Sequence, residues 1–232
     1  MKFHRFMLDI NLNTPQTLVQ DAEILKQWRN VLRFQVGDKV MLCDGEGQEA
    51  LGVFESLDKT EARLKLERAV QVEREPRREI TLYCAILKRE NFEWVAQKAV
   101  EVGVRRVVPV MTERTIKKDI RVDRLQKIMK EAAEQSGRGV LPILHPSLSF
   151  EQALVNSKAY EFSMFFDGSG PKFEPTILQN RESVGIFIGP EGGWSEKELE
   201  LAEKAGLLIA SLGDLTLRAE TAAIVATYLV SQ

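Results

Sequence analysis

The stretch Ile186 to Gly206, IFIGPEGGWSEKELELAEKAG, constrains this chain more than any other, because it fits one local fold: strand, tight glycine turn, capped helix. Ile186 to Ile188 is a short apolar run suited to a buried strand. Gly189, Gly192 and Gly193 open backbone angles closed to other residues. Ser195 followed three residues later by Glu198 is a capping box, so the helix starts there, its unpaired amides and positive dipole end facing the turn. Gly206 stops it. An anion or the polar edge of a nucleoside suits such a turn. It lacks the Lys-Ser/Thr of a phosphate-cradling loop and the G-x-G-x-x-G of a dinucleotide fold, which argues against ATP hydrolysis and NAD binding. A turn that merely joins strand to helix has the same sequence. Shortly after it, LTLRAETAA (Leu215 to Ala223) marks a second polar helix start.

The rest of the chain divides at EREPRRE (Glu73 to Glu79), charged and Pro-containing, into residues 1–72 and 73–232. Before it lie short strand-like runs, FHRFML, VGDKVMLCD, EALGVFESL and the alternating ARLKLERAV, with a hairpin turn at DGEG (Asp44 to Gly47) and one helix within Leu18 to Arg33. This pattern predicts a small barrel. After it, strands alternate with helices: ITLYCAIL, a helix over Asn91 to Val102, RVVPVM, a helix over Asp123 to Gln135, LPIL, a helix from Phe150, FSMFF, IFIGP, the capped helix, LLIASLG and a last helix from about Ala219. Such alternation predicts an α/β fold with a parallel sheet covered on both faces and ligands at the carboxyl ends of the strands. The loops at Gly189 and Gly213 lie at such ends.

With 232 residues, 44% hydrophobic and 28% charged, the chain reads as an ordinary globular protein. No apolar run reaches the roughly 20 residues needed to cross a bilayer, and the N-terminus lacks the apolar block of a signal peptide, so a cytoplasmic protein without a membrane partner is expected. Cys43, Cys84, His4 and His145 are widely separated and form no metal-ligand cluster; both cysteines read as buried thiols. The net charge of −2 conceals an asymmetry. Residues 73–160 carry 17 Lys/Arg against 12 Asp/Glu, whereas residues 161–232 carry 5 against 11. The basic residues of the middle third fall at predicted strand ends and helix starts, where they can converge on one surface or remain a solvated set of charges.

The segments taken together resemble the RsmE family of the SPOUT superfamily of RNA methyltransferases, which methylates N3 of a uridine in small-subunit (16S) ribosomal RNA. HRF (His4 to Phe6), VLRFQVGD (Val31 to Asp38) and DGEG look like the family's PUA-like β-barrel. AVEVGV (Ala99 to Val104), ERT (Glu113 to Thr115), EAAEQSGR (Glu131 to Arg138), IGPEGGWSEKE and LRAETA follow in the family's order and spacing. The resemblance implies a PUA-like RNA-binding barrel over 1–72 and, over 73–232, a SPOUT α/β domain with a C-terminal deep trefoil knot. It further implies S-adenosyl-L-methionine as cofactor, bound in that knot, and a homodimer. The apolar face of the last helix suits such an interface, and equally suits burial against its own sheet. In one place the chain departs from the family: Gln27 and Trp28 stand where members commonly have a histidine pair.

On this resemblance the cofactor contacts are Gly189, Pro190, Glu191, Gly192 and Gly193, with Leu212, Gly213, Leu217, Arg218, Glu220, Thr221 and Ala222. Methyl transfer needs an in-line nucleophile and little covalent help. Uracil N3 carries a proton and is a weak nucleophile until it leaves. A base, for which Glu191 is the candidate, and a donor to the ring oxygens, Arg114 or Arg218, are therefore expected. Glu191 alternatively fixes the turn, and Arg218 alternatively pairs with Glu220. Phosphate contacts are expected from Arg5, Arg33, Lys88, Arg114, Lys117, Lys118 and Arg138. Other readings are a different SPOUT enzyme acting on transfer RNA or a ribose hydroxyl, a non-catalytic RNA-binding module, and a small-molecule nucleotide enzyme; the last would need neither the barrel nor the basic middle third.

Overall fold

A computed structural model describes residues 3–116 and 119–232 and divides into two compact units, residues 1–75 with 133–141 and residues 76–132 with 142–232. The first is built on a six-stranded, mostly antiparallel sheet: β1 (Arg5–Met7), β2 (Gln16–Val19), β3 (Lys39–Cys43), β4 (Gln48–Leu57), β5 (Ala62–Leu66) and β6 (Val70–Gln71), with one helix, α1 (Ala22–Lys26). The strand order is β1-β3-β4-β5-β2, β6 pairs with β4, and only β1 and β3 run parallel.

Side-chain alternation orients these strands. In β5, Ala62, Leu64 and Leu66 are buried while Arg63 and Lys65 face water. Phe6 of β1 and Val19 of β2, from the two ends of the sheet, enter one core with Trp28, Leu42, Phe54 and Leu64, so the sheet curls around a single centre as the barrel pattern predicts. Asp44 makes the DGEG turn, its carboxylate accepting from the amides of Glu46 (2.7 Å) and Gln48 (3.0 Å). Helix α1 is capped by Asp21 and continues as a π-helical turn over Gln27–Val31. That turn puts Trp28 at the centre of the core, edge-on to Phe6 and Phe54, which accounts for an aromatic residue where the family commonly has histidine. The helix expected within Leu18 to Arg33 is α1, and strand β2, which runs into the start of that stretch, is an element the sequence pattern does not mark.

The segment 133–141, from the last turn of a helix into an irregular loop, belongs to this first unit, which sequence order alone did not suggest. Glu75 accepts from the amides of Gly139 (2.8 Å) and Val140 (3.2 Å) and pairs with Arg138 at 2.8 Å. Arg74 donates to the carbonyl of Gly137 and pairs with Glu49. Glu134 accepts from the Met7 amide at 2.8 Å.

The second unit carries β7 (Glu79–Ala85), α2 (Arg89–Glu101), β8 (Arg106–Met111), α3 (Val122–Ser136), β9 (Ile143–Leu144), β10 (Leu148–Ser149), α4 (Phe150–Ser157), β11 (Phe162–Phe166), β12 (Ser183–Ile188), α5 (Glu196–Lys204), β13 (Leu208–Ala210) and α6 (Ala219–Ser231). Its sheet is wholly parallel, ordered β10-β8-β7-β12-β11-β13, with β9 also on β8. Near-continuous apolar strands such as β7 and β12 are what a sheet covered on both faces requires. Pro109, inside β8, falls between the short pairings of β9 and β10, where its missing N–H costs no ladder bond. The chain builds outward from β7 to β8 and β10, then continues on the other side with β11, β12 and β13. The order therefore reverses between β7 and β12, the place where parallel sheets open a crevice at their carboxyl ends. Helix α6 returns from beyond the edge strand β13 to pack on α2, β7 and β12, and Arg78 holds its last turn by donating to the Val230 carbonyl.

Candidate cofactor cleft and active site

Three loops leave the carboxyl ends of adjacent strands of the second unit: 166–170 after β11, 189–194 after β12 and 211–218 after β13. With Lys88 and Asn91 beyond β7, they line a cleft of about 1100 Å³. Their backbones are shaped by tight contacts. In the turn after β12 the Gly193 amide donates to Pro190 O at 2.9 Å, with Gly193 at φ 69°. A Cβ on Gly189 would sit 3.0 Å from the Trp194 indole, and one on Gly170 2.7 Å from the Ala210 backbone nitrogen. Gly213 stands at φ 122° with open space where a Cβ would project. Together these features make a glycine cradle that lets a ligand meet main-chain amides and carbonyls.

Trp194 forms the rear of the cradle. Its ring packs on Phe165 (centroids 4.3 Å apart) and Phe150 (5.3 Å), and its indole N–H donates to Phe166 O at 3.1 Å. The capping box at the start of α5 is present, with both Ser195 and Glu198 buried. Cys84, at the end of β7, is buried, and burial together with the nearby Glu191 carboxylate pushes its thiol far above the ordinary range, leaving it an inert neutral group.

Of the residues expected to hold a cofactor, Gly189 to Gly193, Leu212, Gly213, Leu217, Arg218, Glu220 and Ala222 line the cleft, and so does Lys88. Thr221 does not, since the helix turns it away between two residues that do. Glu191 is exposed and accepts from the Lys88 amide at 3.2 Å. Glu220 is buried and accepts from Asn91 Nδ2 at 3.4 Å, a partner other than the Arg218 considered from sequence. Arg218 is exposed at the N-cap of α6. Arg114 lies over the glycine turn, its Nη1 donating to Gly192 O at 2.7 Å.

The expected phosphate contacts separate into two kinds. Lys88, Arg114 and Arg33, the last at φ 57°, are exposed. Arg5 and Arg138 are turned inward instead. Arg5 pairs with Glu49 at 2.5 Å and donates to Cys43 Sγ at 3.1 Å, and Arg138 is 6% exposed on Glu75. Both neutralise carboxylates of the first unit, so neither offers a free guanidinium to a phosphate. Lys117 and Lys118 lie outside the described residues. Sequence reasoning missed the loop 166–170, where Asp167 accepts from the Ser169 amide at 2.9 Å. Its DGSG signal, a glycine turn at the end of a predicted strand, was the same as that of the turn it did single out. Asn91 carried no local signal.

The model of an RNA methyltransferase domain matches residues 73–231, and that of an RNA methyltransferase PUA domain matches residues 29–67. The chain is 29% identical over 234 residues to Ribosomal RNA small subunit methyltransferase E of Rickettsia conorii, covering 97% of this chain and 94% of that protein. It is 30% identical over 217 residues to its counterpart in Bacillus subtilis, covering 87% and 84%. A crystal structure of Ribosomal RNA small subunit methyltransferase E from Neisseria gonorrhoeae bound to S-adenosyl methionine matches with a TM-score of 0.88 at 30% identity, over 97% of this chain and 95% of that one. A putative methyltransferase from Legionella pneumophila, in complex with the bound cofactor SAM, matches with a TM-score of 0.89 at 28% identity, over 99% and 97%. With a PUA-like domain ahead of a parallel-sheet methyltransferase domain, the chain belongs to the RNA methyltransferase family that includes these small-subunit enzymes.

Proposed function

We propose that this chain is an S-adenosylmethionine-dependent methyltransferase that modifies N3 of a uridine in small-subunit (16S) ribosomal RNA. The observation that carries the reading is the glycine-lined cleft at the carboxyl ends of β11, β12 and β13, in a fold that matches a cofactor-bound relative along almost its whole length. The residues fit this cofactor: open space at Gly213 and main-chain groups of the turn 189–193 for the adenine edge and ribose, and the buried Glu220 carboxylate as a negative group toward a cation. When bound, the cofactor supplies an electrophilic methyl group on a sulfonium. The protein then has to orient uracil N3 in line with that methyl, exclude water and accept the N3 proton. Glu191, with its exposed carboxylate at the cleft, is the proton acceptor, and Arg114 or Arg218 stabilises charge developing on the ring oxygens.

The exposed Lys88, Arg114, Arg218 and Lys172 around the cleft, with Arg33 of the PUA-like domain, supply the phosphate contacts, so RNA affinity falls steeply with salt. The return of α6 from beyond β13 to α2 carries residues 211–218 past the other two cleft loops, and a trefoil knot is the chain path we infer there. A homodimer through α6 and α2 would cover Tyr228 and Trp94, 51% and 49% exposed. Among the described residues no helix is long and apolar enough to cross a membrane. We expect the protein to work in the cytoplasm, where the ribosomal subunits are.

The decisive experiment is methyl transfer from labelled S-adenosylmethionine to small ribosomal subunits lacking their own modification, followed by mass spectrometry of the RNA digest. A single 3-methyluridine is the expected product. Label on a ribose or in transfer RNA alone would overturn the substrate assignment, and cofactor binding with no transfer to any RNA would overturn the enzyme.

A further inference from the structure

Glu198 does more than cap its own helix. One carboxylate oxygen accepts from the Ser195 amide at 2.9 Å, completing the capping box, and the other accepts from the Glu113 amide, also at 2.9 Å. The side chain is 3% exposed, with the Ser195 bond buried and the Glu113 bond partly so, and a carboxylate so placed needs its acceptor capacity filled. Glu113 belongs to a small turn closed on itself. Thr115 Oγ1 accepts from the Thr112 amide at 3.0 Å and meets Thr112 Oγ1 at 2.7 Å, with both threonines buried. At the tip of this turn Arg114 crosses to the glycine turn and donates to Gly192 O at 2.7 Å. That bond uses one of five guanidinium donors, and the side chain is otherwise exposed.

We infer that Glu198 is a positioning residue: it fastens the turn 112–115 to the start of α5, directly behind the cofactor turn 189–194, so that Arg114 is held over the cleft mouth with its remaining donors presented to RNA. The inference rests on the functional reading above. It assigns to a buried carboxylate outside the cleft lining the task of linking the cofactor-binding backbone to an RNA-facing cation. Two independent bonds, Glu198 to Glu113 and Arg114 to Gly192, join the turn 112–115 to the glycine turn and the helix start behind it, so a cofactor that orders the glycine turn orders the arginine turn with it.

Glu198→Gln tests this directly. Glutamine has one acceptor oxygen in place of two. Because Gln also completes a capping box, that oxygen stays on Ser195 and the Glu113 amide loses its partner. Hydrogen exchange of residues 112–116 is measured with and without S-adenosylmethionine, alongside cofactor calorimetry and the KM for ribosomal RNA. The expected result is cofactor-induced protection of 112–116 in the wild type and its loss in the variant. Cofactor Kd should stay within about twofold, and the RNA KM should rise about tenfold, the scale of one charge-assisted bond. Ser195→Ala, which weakens the cap but leaves Glu198 on Glu113, should lower the melting temperature without moving the RNA KM. Adding Arg114→Ala to Glu198→Gln should raise KM no further. Unchanged exchange in Glu198→Gln, or equal KM effects in Glu198→Gln and Ser195→Ala, would overturn the inference. If the wild type transfers no methyl group to ribosomal RNA, the functional reading fails while the exchange experiment still decides whether Glu198 links the two turns.

Discussion

The inward-turned arginines of the first unit and the cations at the cleft of the second are used in opposite ways. In the first, Arg5 and Arg74 are spent on Glu49, and Arg138 on Glu75, a carboxylate that also satisfies the amides of Gly139 and Val140 in an irregular segment from a distant part of the chain. In the second, the backbone is satisfied by a parallel ladder, and Lys88, Lys172, Arg114 and Arg218 stand exposed around the open carboxyl ends of the strands. The contrast follows from where backbone donors remain unpaired. A loop without a ladder needs side-chain acceptors, these carry charge, and the charge needs a counter-ion. A count of arginines along the sequence therefore does not locate an RNA surface.

The comparison is broken most severely at Trp194. Replacing it with alanine removes the wall against which Gly189, Phe150 and Phe165 pack. It should cost about 3–5 kcal/mol in denaturant unfolding and abolish cofactor binding in calorimetry. Next comes Glu75→Ala, which leaves the buried Arg138 without its carboxylate and two amides without an acceptor. We expect a loss of about 3 kcal/mol with cofactor affinity unchanged, and an effect on cofactor binding would contradict the division of labour.

The same group sets an acid sensitivity. Burial would raise the Glu75 carboxyl, but the Arg138 hydrogen bond and charge, with the Gly139 and Val140 amides, hold it below its ordinary value of 4.5. Its stabilisation is thus complete above that value and is lost as pH falls through the lower folded value. Melting temperature should therefore fall more steeply below pH 4.5 in the wild type than in Glu75→Gln. A smaller stability effect, about 1–3 kcal/mol, is expected from Gly213→Val, because of the positive φ. Its added side chain would point into the cleft, so cofactor affinity should fall far more than stability does. The smallest effect is that of Lys204→Ala, which removes an exposed pair with Glu200 on α5 and should change stability by no more than about 0.5 kcal/mol.

These variants also separate what was legible in the sequence from what was not. The glycine turn 189–193, the capping box of Ser195 and Glu198 and the alternation of strands and helices after residue 79 are encoded within a few residues of themselves, by backbone permissiveness, cap chemistry and periodicity. The predicted elements of the second unit accordingly match the observed ones closely. The loop 166–170 carries a local signal of the same kind, DGSG at the end of an apolar strand. By contrast, β2 is a short strand with only Val19 buried, and no period marks it.

The sequence by itself determined the α/β character of the second unit, the loops at its strand ends and the helix that starts at Ser195, since each depends on neighbours in the chain. Only the tertiary structure decided that Asn91 and Asp167 join the cleft, that Arg138 pairs with Glu75 across 63 positions, and that Glu198 reaches the amide of Glu113 across 85. A carboxylate's partner is whichever donor the fold brings within 3 Å of it after burial has removed water, and nothing in the order of residues states that distance.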